Sequence, residues 1–139
     1  MKTFAMIKPC AVASGKTSEI LSDIEAAGFT VLRSADVMLD REDAEWLYRE
    51  HSEKAHFNDL VDFTVSGPVR LLELSNNSQS VATDFRALMG PTDLSKAEPG
   101  TLRASYAEDF RRNAIHGSDG IESAKEELEY FDPHLTAAS

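Results

Sequence analysis

Apolar residues change period several times along the chain, and each change marks an element. Residues 3–8 (TFAMIK) form a short apolar run of the length of a buried strand. Over 17–27, Ile20, Leu21, Ile24 and Ala27 recur at helical spacing; Thr17 or Ser18 stands where a cap belongs, and Gly28 supplies the stop. The period then falls to two. Phe29, Val31, Ala35, Val37 and Leu39 alternate with mostly polar neighbours, which predicts a half-buried strand reaching an edge or a polar pocket at Arg33. Asp40 opens a helix carrying Ala44, Leu47, Tyr48 and His51, and a second short helix carries Phe57, Leu60 and Val61 up to Ser66-Gly67-Pro68. Residues 69–74 (VRLLEL) predict a third strand. Residues 80–89 predict a helix with Val81, Phe85, Leu88 and Met89 inward, ended by Gly90-Pro91. From Pro91 to Arg112 the periodicity nearly vanishes, and unpatterned stretches of that length in a compact domain are usually functional or interface-forming. A brief strand near 113–116 and a helix over 121–130 complete one domain, 1–131, and 132–139 read as a loose tail.

This order predicts an α/β (α+β) fold of the ferredoxin-like kind, a four-stranded antiparallel sheet with helices on one face. A parallel doubly wound sheet competes, and element order alone does not exclude it. The length of 139 residues suits a single domain, and 42% hydrophobic with 27% charged residues is an ordinary globular balance. Charge changes the picture more. Acids outnumber bases 24 to 14, a net −10, which has the wrong sign for a nucleic-acid or anionic-membrane binder. A single cysteine, Cys10, excludes an internal disulfide and a cysteine-rich zinc site. No apolar run approaches the roughly 20 residues of a membrane helix, and the first residues enter a strand directly, so a soluble, cytoplasmic protein without a signal peptide is expected.

Two local patterns invite chemistry. Gly15-Lys16-Thr17 looks like the end of a phosphate loop, but that loop needs a glycine five positions earlier, where Cys10 stands. Of the four histidines, no pair has metal-ligand spacing backed by carboxylates, which argues against a zinc or iron site. His51 extends an apolar stripe and reads as packed or interfacial; His134 reads as solvated. His116 differs. It ends a short strand, Gly117 permits close backbone approach, and Ser118 or Asp119 can cap the next helix. Glu127, about two turns into that helix, can reach back to one ring nitrogen, fixing the tautomer and leaving the other nitrogen as a nucleophile.

Over Thr3 to Phe131 the sequence resembles the nucleoside diphosphate kinases. The likeness rests on Ile7-Lys8-Pro9, Tyr48, Ser66-Gly67-Pro68 and Leu88-Met89-Gly90-Pro91-Thr92-Asp93. It continues with Pro99-Gly100-Thr101-Leu102-Arg103 and with Arg112-Asn113-Ala114-Ile115-His116-Gly117-Ser118-Asp119. The resemblance implies ping-pong transfer of a terminal phosphoryl group from a nucleoside triphosphate to a nucleoside diphosphate through a phosphohistidine, with Mg2+ carried by the nucleotide phosphates and no metal held by the protein. It implies His116 as nucleophile, oriented by Glu127 with support from Ser118. Lys8, Tyr48 and Asn113 then lie near the transferred group and the ribose, Arg86, Thr92 and Arg103 form the phosphate clamp, and His56, Phe57 and Phe110 fall at the base. Phosphoryl transfer asks mainly for positioning and charge neutralisation, which Lys and Arg forks supply. A retired, nucleotide-binding relative is the alternative, and a retired enzyme is expected to have lost some of these side chains.

The departures are Cys10, Ser14, Ala55-His56-Phe57 where the family has Pro-Phe-Phe, Phe110 where a small aliphatic residue is common, and Arg111 where Gly is common. They predict a base clamp in which Phe110 stacks and His56 assists. The resemblance also implies a homo-oligomer, a tetramer or hexamer built from dimers, packed through the 91–112 segment.

Overall fold

Strand β1 (Lys2–Ile7) is apolar on both sides of its pleat, as is β3 (Val69–Ser75), and strands of that kind need cover on both faces. The computed structural model, which describes residues 1–110 and 112–137, has this arrangement. The sheet order is β4-β1-β3-β2-β5, with β2 spanning Thr30–Val37, β4 Ile115–Gly117 and β5 Thr136–Ala137. Every pairing is antiparallel, which removes the doubly wound alternative. In register, Ala5 faces Leu72 and Met6 faces Leu71, so successive residues feed opposite cores.

On one face Ala5, Ile7, Leu72, Leu74 and Ile115 pack against α2 (Thr17–Ala26) and α5 (Val81–Met89) through Ile20, Ile24, Phe85 and Met89. On the other, Phe4, Met6, Val69 and Leu71 pack against Leu47 of α3 (Arg41–Leu47), Phe131 of α7 (Ile121–Phe131) and Leu135. Helices therefore cover both faces, not one as the element order suggests. Each of the largest buried side chains contributes about 1.5–3 kcal/mol relative to exposure, so neither layer is dispensable.

Several local readings change. A short helix, α1 (Pro9–Ala13), follows β1 directly because Pro9 presets the first helical φ. Helix α2 is capped by Lys16 without a side-chain hydrogen bond, so neither Thr17 nor Ser18 is its cap. Asp40 does cap α3, in a reciprocal box with Asp43. Between Asp93 and Tyr106 the chain is ordered by caps rather than periodicity: Asp93 starts a 3-10 turn (Leu94–Lys96) and Thr101 starts α6 (Leu102–Tyr106). Helix α4 (Phe57–Thr64) packs beside α3.

Arg33 explains both its own position and the chain end. Its guanidinium grips the buried Glu73 carboxylate at 2.9 and 3.1 Å, and reaches Asp132 at 2.8 Å. Beyond Asp132, Leu135 is buried and Thr136–Ala137 pair with Ser34 and Arg33. Residues 132–137 are thus fastened to the sheet edge, not loose. Arg111 lies outside the described residues. Among the described residues no helix is long and apolar enough to cross a membrane.

Candidate active site

Strand β4 is three residues long and pairs only with β1, placing His116 opposite Met6 at the sheet margin. Its backbone is set by two unusual neighbours. Ala114 holds a positive φ of 76°, a left-handed conformation that costs a residue with a side chain of order 1–3 kcal/mol. Its carbonyl accepts the Lys8 N–H at 2.8 Å, which ties the end of β1 to the approach to His116. A Cβ on Gly117 would meet Met89 Sδ at 2.5 Å, so only glycine lets β4 press onto α5.

The imidazole is half enclosed. Nε2 of His116 lies 2.7 Å from Oε1 of Glu127, a buried residue in the second turn of α7. An ionised carboxylate only accepts, so Nε2 carries the proton and Nδ1 keeps its lone pair. Ser118 Oγ stands 3.0 Å from the same carboxylate oxygen and 3.3 Å from the Phe4 carbonyl, buried behind Glu127. Ser118 thus steadies the carboxylate and does not line the cleft. Tyr48, at the end of α3, stands edge-on to the His116 ring at 5.7 Å.

A cleft of about 460 Å³ opens in front of this pair. Lys8, Arg86 and Arg103, which are far apart in sequence, line it together with Asn113 and Thr92. Arg103 is anchored by donating to the carbonyls of Gly90 and Ile115 at 3.0 and 2.9 Å. Arg86 donates to the Gly117 carbonyl at 3.2 Å and to Asp119 at 2.9 Å. Burial, then the charge of Arg103, pulls the Lys8 ammonium down from its usual range to about 7. Burial, then Arg86, pulls Arg103 down to about 10. Burial dominates both shifts, and a neighbouring cation adds to each. Burial pushes the Tyr48 phenol upward.

Unpaired polar atoms point the same way. Among the described residues, five buried side-chain polar atoms lack hydrogen-bond partners: Thr3 Oγ1, Tyr48 OH, His51 Nδ1, Arg103 Nε and Asn113 Oδ1. The last four belong to residues of this one cleft. Orphaned buried groups are uncommon enough to need a reason, and an occupant carrying both acceptors and hydroxyl donors is one, since Arg103 Nε donates whereas Asn113 Oδ1 accepts.

His56 and Phe110 stand at the cleft mouth, Phe110 with 62% of its surface exposed. Phe57 does not join them. As the first residue of α4 it is half-buried and packs against the second core. Cys10 and Ser14 are not among the cleft residues; Cys10 is partly buried, which raises its thiol, and Ser14 is exposed. Several cleft residues fall outside the expected site, among them Asp119 and His51. The sequence offers Asp119 only as a cap and His51 only as packing, although the place of His51 one turn after Tyr48 is a usable signal.

A profile of the family described as "Nucleoside diphosphate kinase" matches residues 1–135. A "Nucleoside diphosphate kinase" of Thiobacillus denitrificans is 46% identical over 132 residues, covering 95% of this chain and 92% of the relative. "Nucleoside diphosphate kinase 2" of Protochlamydia amoebophila is 42% identical over 130 residues, covering 94% and 90%. The chain also superposes on a halophilic nucleoside diphosphate kinase from Halobacterium salinarum solved in complex with CDP. The TM-score there is 0.90 at 34% identity, with 100% of this chain and 93% of that chain covered. For the Aquifex aeolicus nucleoside diphosphate kinase the TM-score is 0.89 at 31% identity, covering 97% and 98%.

Proposed function

The chain belongs to the nucleoside diphosphate kinase family, and on that premise we propose how its cleft carries out the family's reaction. The enzyme moves the terminal phosphoryl group of a nucleoside triphosphate to a nucleoside diphosphate by a ping-pong route. Nδ1 of His116 attacks the terminal phosphorus; the P–N bond forms as the bond to the bridging oxygen breaks, and the diphosphate leaves with that electron pair. An oxygen of the incoming diphosphate then attacks the phosphohistidine, the P–N bond breaks, and the lone pair returns to Nδ1. Glu127 holds the proton on Nε2 throughout and stabilises the positive charge that the ring gains when phosphorylated. Ser118 keeps Glu127 in place.

Lys8, Arg86 and Arg103 neutralise the charge of the transferred group and of the leaving phosphates, and Thr92 adds a hydroxyl donor. Preorganised donors of this sort are worth about 10²–10³ each in rate. Asn113 and Lys8 are placed for the ribose hydroxyls, and Tyr48 walls the reacting centre. Magnesium would enter with the nucleotide and would supply further neutralisation of its phosphate charge beside Lys8, Arg86 and Arg103. The donor set fits that role, since the cleft offers cations, amides and hydroxyls, with Asp119 already paired to Arg86 and Glu127 to His116. His56 and Phe110 take the base between them. The protein works in the cytoplasm as a homo-oligomer, a tetramer or hexamer built from dimers through the 91–112 segment.

The single observation that carries the reading is the 2.7 Å contact of His116 Nε2 with Glu127, which frees Nδ1 in a cationic cleft. Its test is brief exposure to triphosphate and magnesium, followed by intact-mass measurement. One phosphoryl group is expected, stable in base and lost in acid. An acid-stable label, or label retained by His116→Ala, removes His116 as the nucleophile.

A further inference from the structure

Lys2, Lys16, Lys54, Lys96 and Lys125 are exposed; the remaining lysine, Lys8, is 4% exposed and lines the cleft. Its main chain is fully engaged. The N–H donates to the Ala114 carbonyl, and the carbonyl accepts from Ala11 and Val12 in α1. The side chain has no such anchor. Among the described residues no carboxylate pairs with its ammonium, and the Tyr48 ring lies 5.9 Å away, at the outer limit of a cation–π contact.

A cation buried without an anion is costly, and loss of its proton is the usual relief. The groups that face Lys8 leave that as the outcome. Arg103 opposes a second positive charge. The Cys10 thiol would favour one only as thiolate, and burial raises it; burial raises the Tyr48 phenol as well. The cleft's carboxylates are taken up elsewhere, Glu127 by His116 and Ser118, Asp119 by Arg86, while Glu50 stands exposed at the rim. Lys8 therefore loses its proton at about 7 and above that presents a neutral amine. Its charged neighbour Arg103 has an unused donor, Nε. An addition that turned this amine into an anion would change its interaction with Arg103 from repulsion to attraction.

We propose that Lys8 is a site of carbon dioxide addition, and that the carbamate formed there closes the cleft to nucleotide. The Nζ lone pair attacks the carbon of CO2. The N–C bond forms as one C–O π pair moves onto oxygen, and Nζ then gives one proton to water. Nothing is oxidised or reduced, and the product shares a full negative charge between two acceptor oxygens. Carbon dioxide is small and uncharged, and the cleft of about 460 Å³ has room for the added group. Closure rests on the reading that Lys8 meets the transferred phosphate: an anion in place of a cation there repels the triphosphate.

The test holds the full chain near pH 8 in a sealed, strongly buffered cell with CO2, fixes carbamates as esters with a trialkyloxonium reagent, and locates the ester by peptide mass. Lys8 is expected to carry it, the exposed lysines are not, and saturating nucleoside diphosphate should remove it. Reaction at the exposed Met1 amine should be indifferent to nucleotide. In assays at matched pH and ionic strength, kcat should hold while KM rises about twofold at the CO2 concentration that half-labels Lys8, the mass-action factor for one competing ligand. No ester on Lys8 overturns the proposal. So does an equal CO2-dependent loss of nucleotide affinity in Lys8→Met, read by calorimetry, because that loss would belong to bicarbonate held as an anion. The two readings fail separately. If Lys8 is labelled and nucleotide leaves the label in place, the carbamate stands, while the closure and the place of Lys8 at the phosphates both fall. If nucleotide binds and Lys8 stays unlabelled, only the carbamate falls.

Discussion

At its inner end the cleft is lined by Lys8, Arg103, Asn113 and Glu127, each no more than 6% exposed and most tied to backbone or to one another. At the mouth stand Phe110, Lys54 and His56, exposed or half-exposed. The two ends face the same solvent opening but answer to different demands. Groups that stabilise developing charge must already be in place, because reorganising them during the reaction would return the gain. Groups that hold the base contribute equally to ground and transition states, so they alter affinity and leave the chemical step alone. Of the cleft residues, His56 and Phe110 stand at the mouth, Lys8, Arg103, Asn113 and His116 line the inner part, and Arg86 bridges from the exposed side through Asp119 and the Gly117 carbonyl.

The contrast breaks first at His116. His116→Ala should lower turnover on the order of 10⁴-fold or more, since the covalent route disappears. A steady-state assay that finds a loss under a hundredfold would mean the inner end is not the reacting centre.

Lys8 gives the next largest effect and a thermodynamic signature. Lys8→Met should cost about 10²–10³ in kcat without loss of melting temperature, because it removes an unpaired buried cation. The sign of the pH dependence follows from the shift. The folded pKa near 7 lies below the unfolded 10.5, so between these values the unfolded chain binds more protons and stability rises with pH. Below about 7 the destabilisation is full, and there Lys8→Met should gain most. Thermal melts from pH 6 to 10 that show no such rise, or the same rise in Lys8→Met, would contradict it. An anionic nucleotide should restore the charge, so binding near pH 8.5 is expected to take up close to one proton, measurable by calorimetry in buffers of different ionisation enthalpy.

The mouth should respond more mildly and differently. Stacking is worth roughly 1–3 kcal/mol per base, so Phe110→Ala should raise the nucleotide KM about tenfold or more with kcat hardly moved. His56→Ala should cost less. If His56→Ala weakens binding more than Phe110→Ala, the stacking face has been assigned to the wrong side. The smallest expected effect is on assembly: sedimentation at micromolar concentration should give a tetramer or hexamer, and a monomer would remove the oligomer.

What could be read from the chain alone was what depends on near neighbours. Strand and helix periods are local, and so are the Asp40 cap and the stop at Gly28. His116 and Glu127 are eleven positions apart on adjoining elements, a distance that helix geometry converts directly into contact. The string of family motifs carried the cleft cations, which no period or spacing would have joined. Tertiary structure decided the rest, because it depends on pairs that are remote in sequence. Whether helices cover one face or two is set by how β1 and β3 sit centrally in the sheet, not by the order of elements. The packing of Phe57 on the second core depends on where α4 lies against α3. Arg33 meets Asp132 across 99 positions, and that contact turns an expected tail into an edge strand. The depressed ammonium of Lys8 and the sealed Nδ1 of His51 exist only once distant residues have excluded water around them, and burial is a property that no single stretch of sequence possesses.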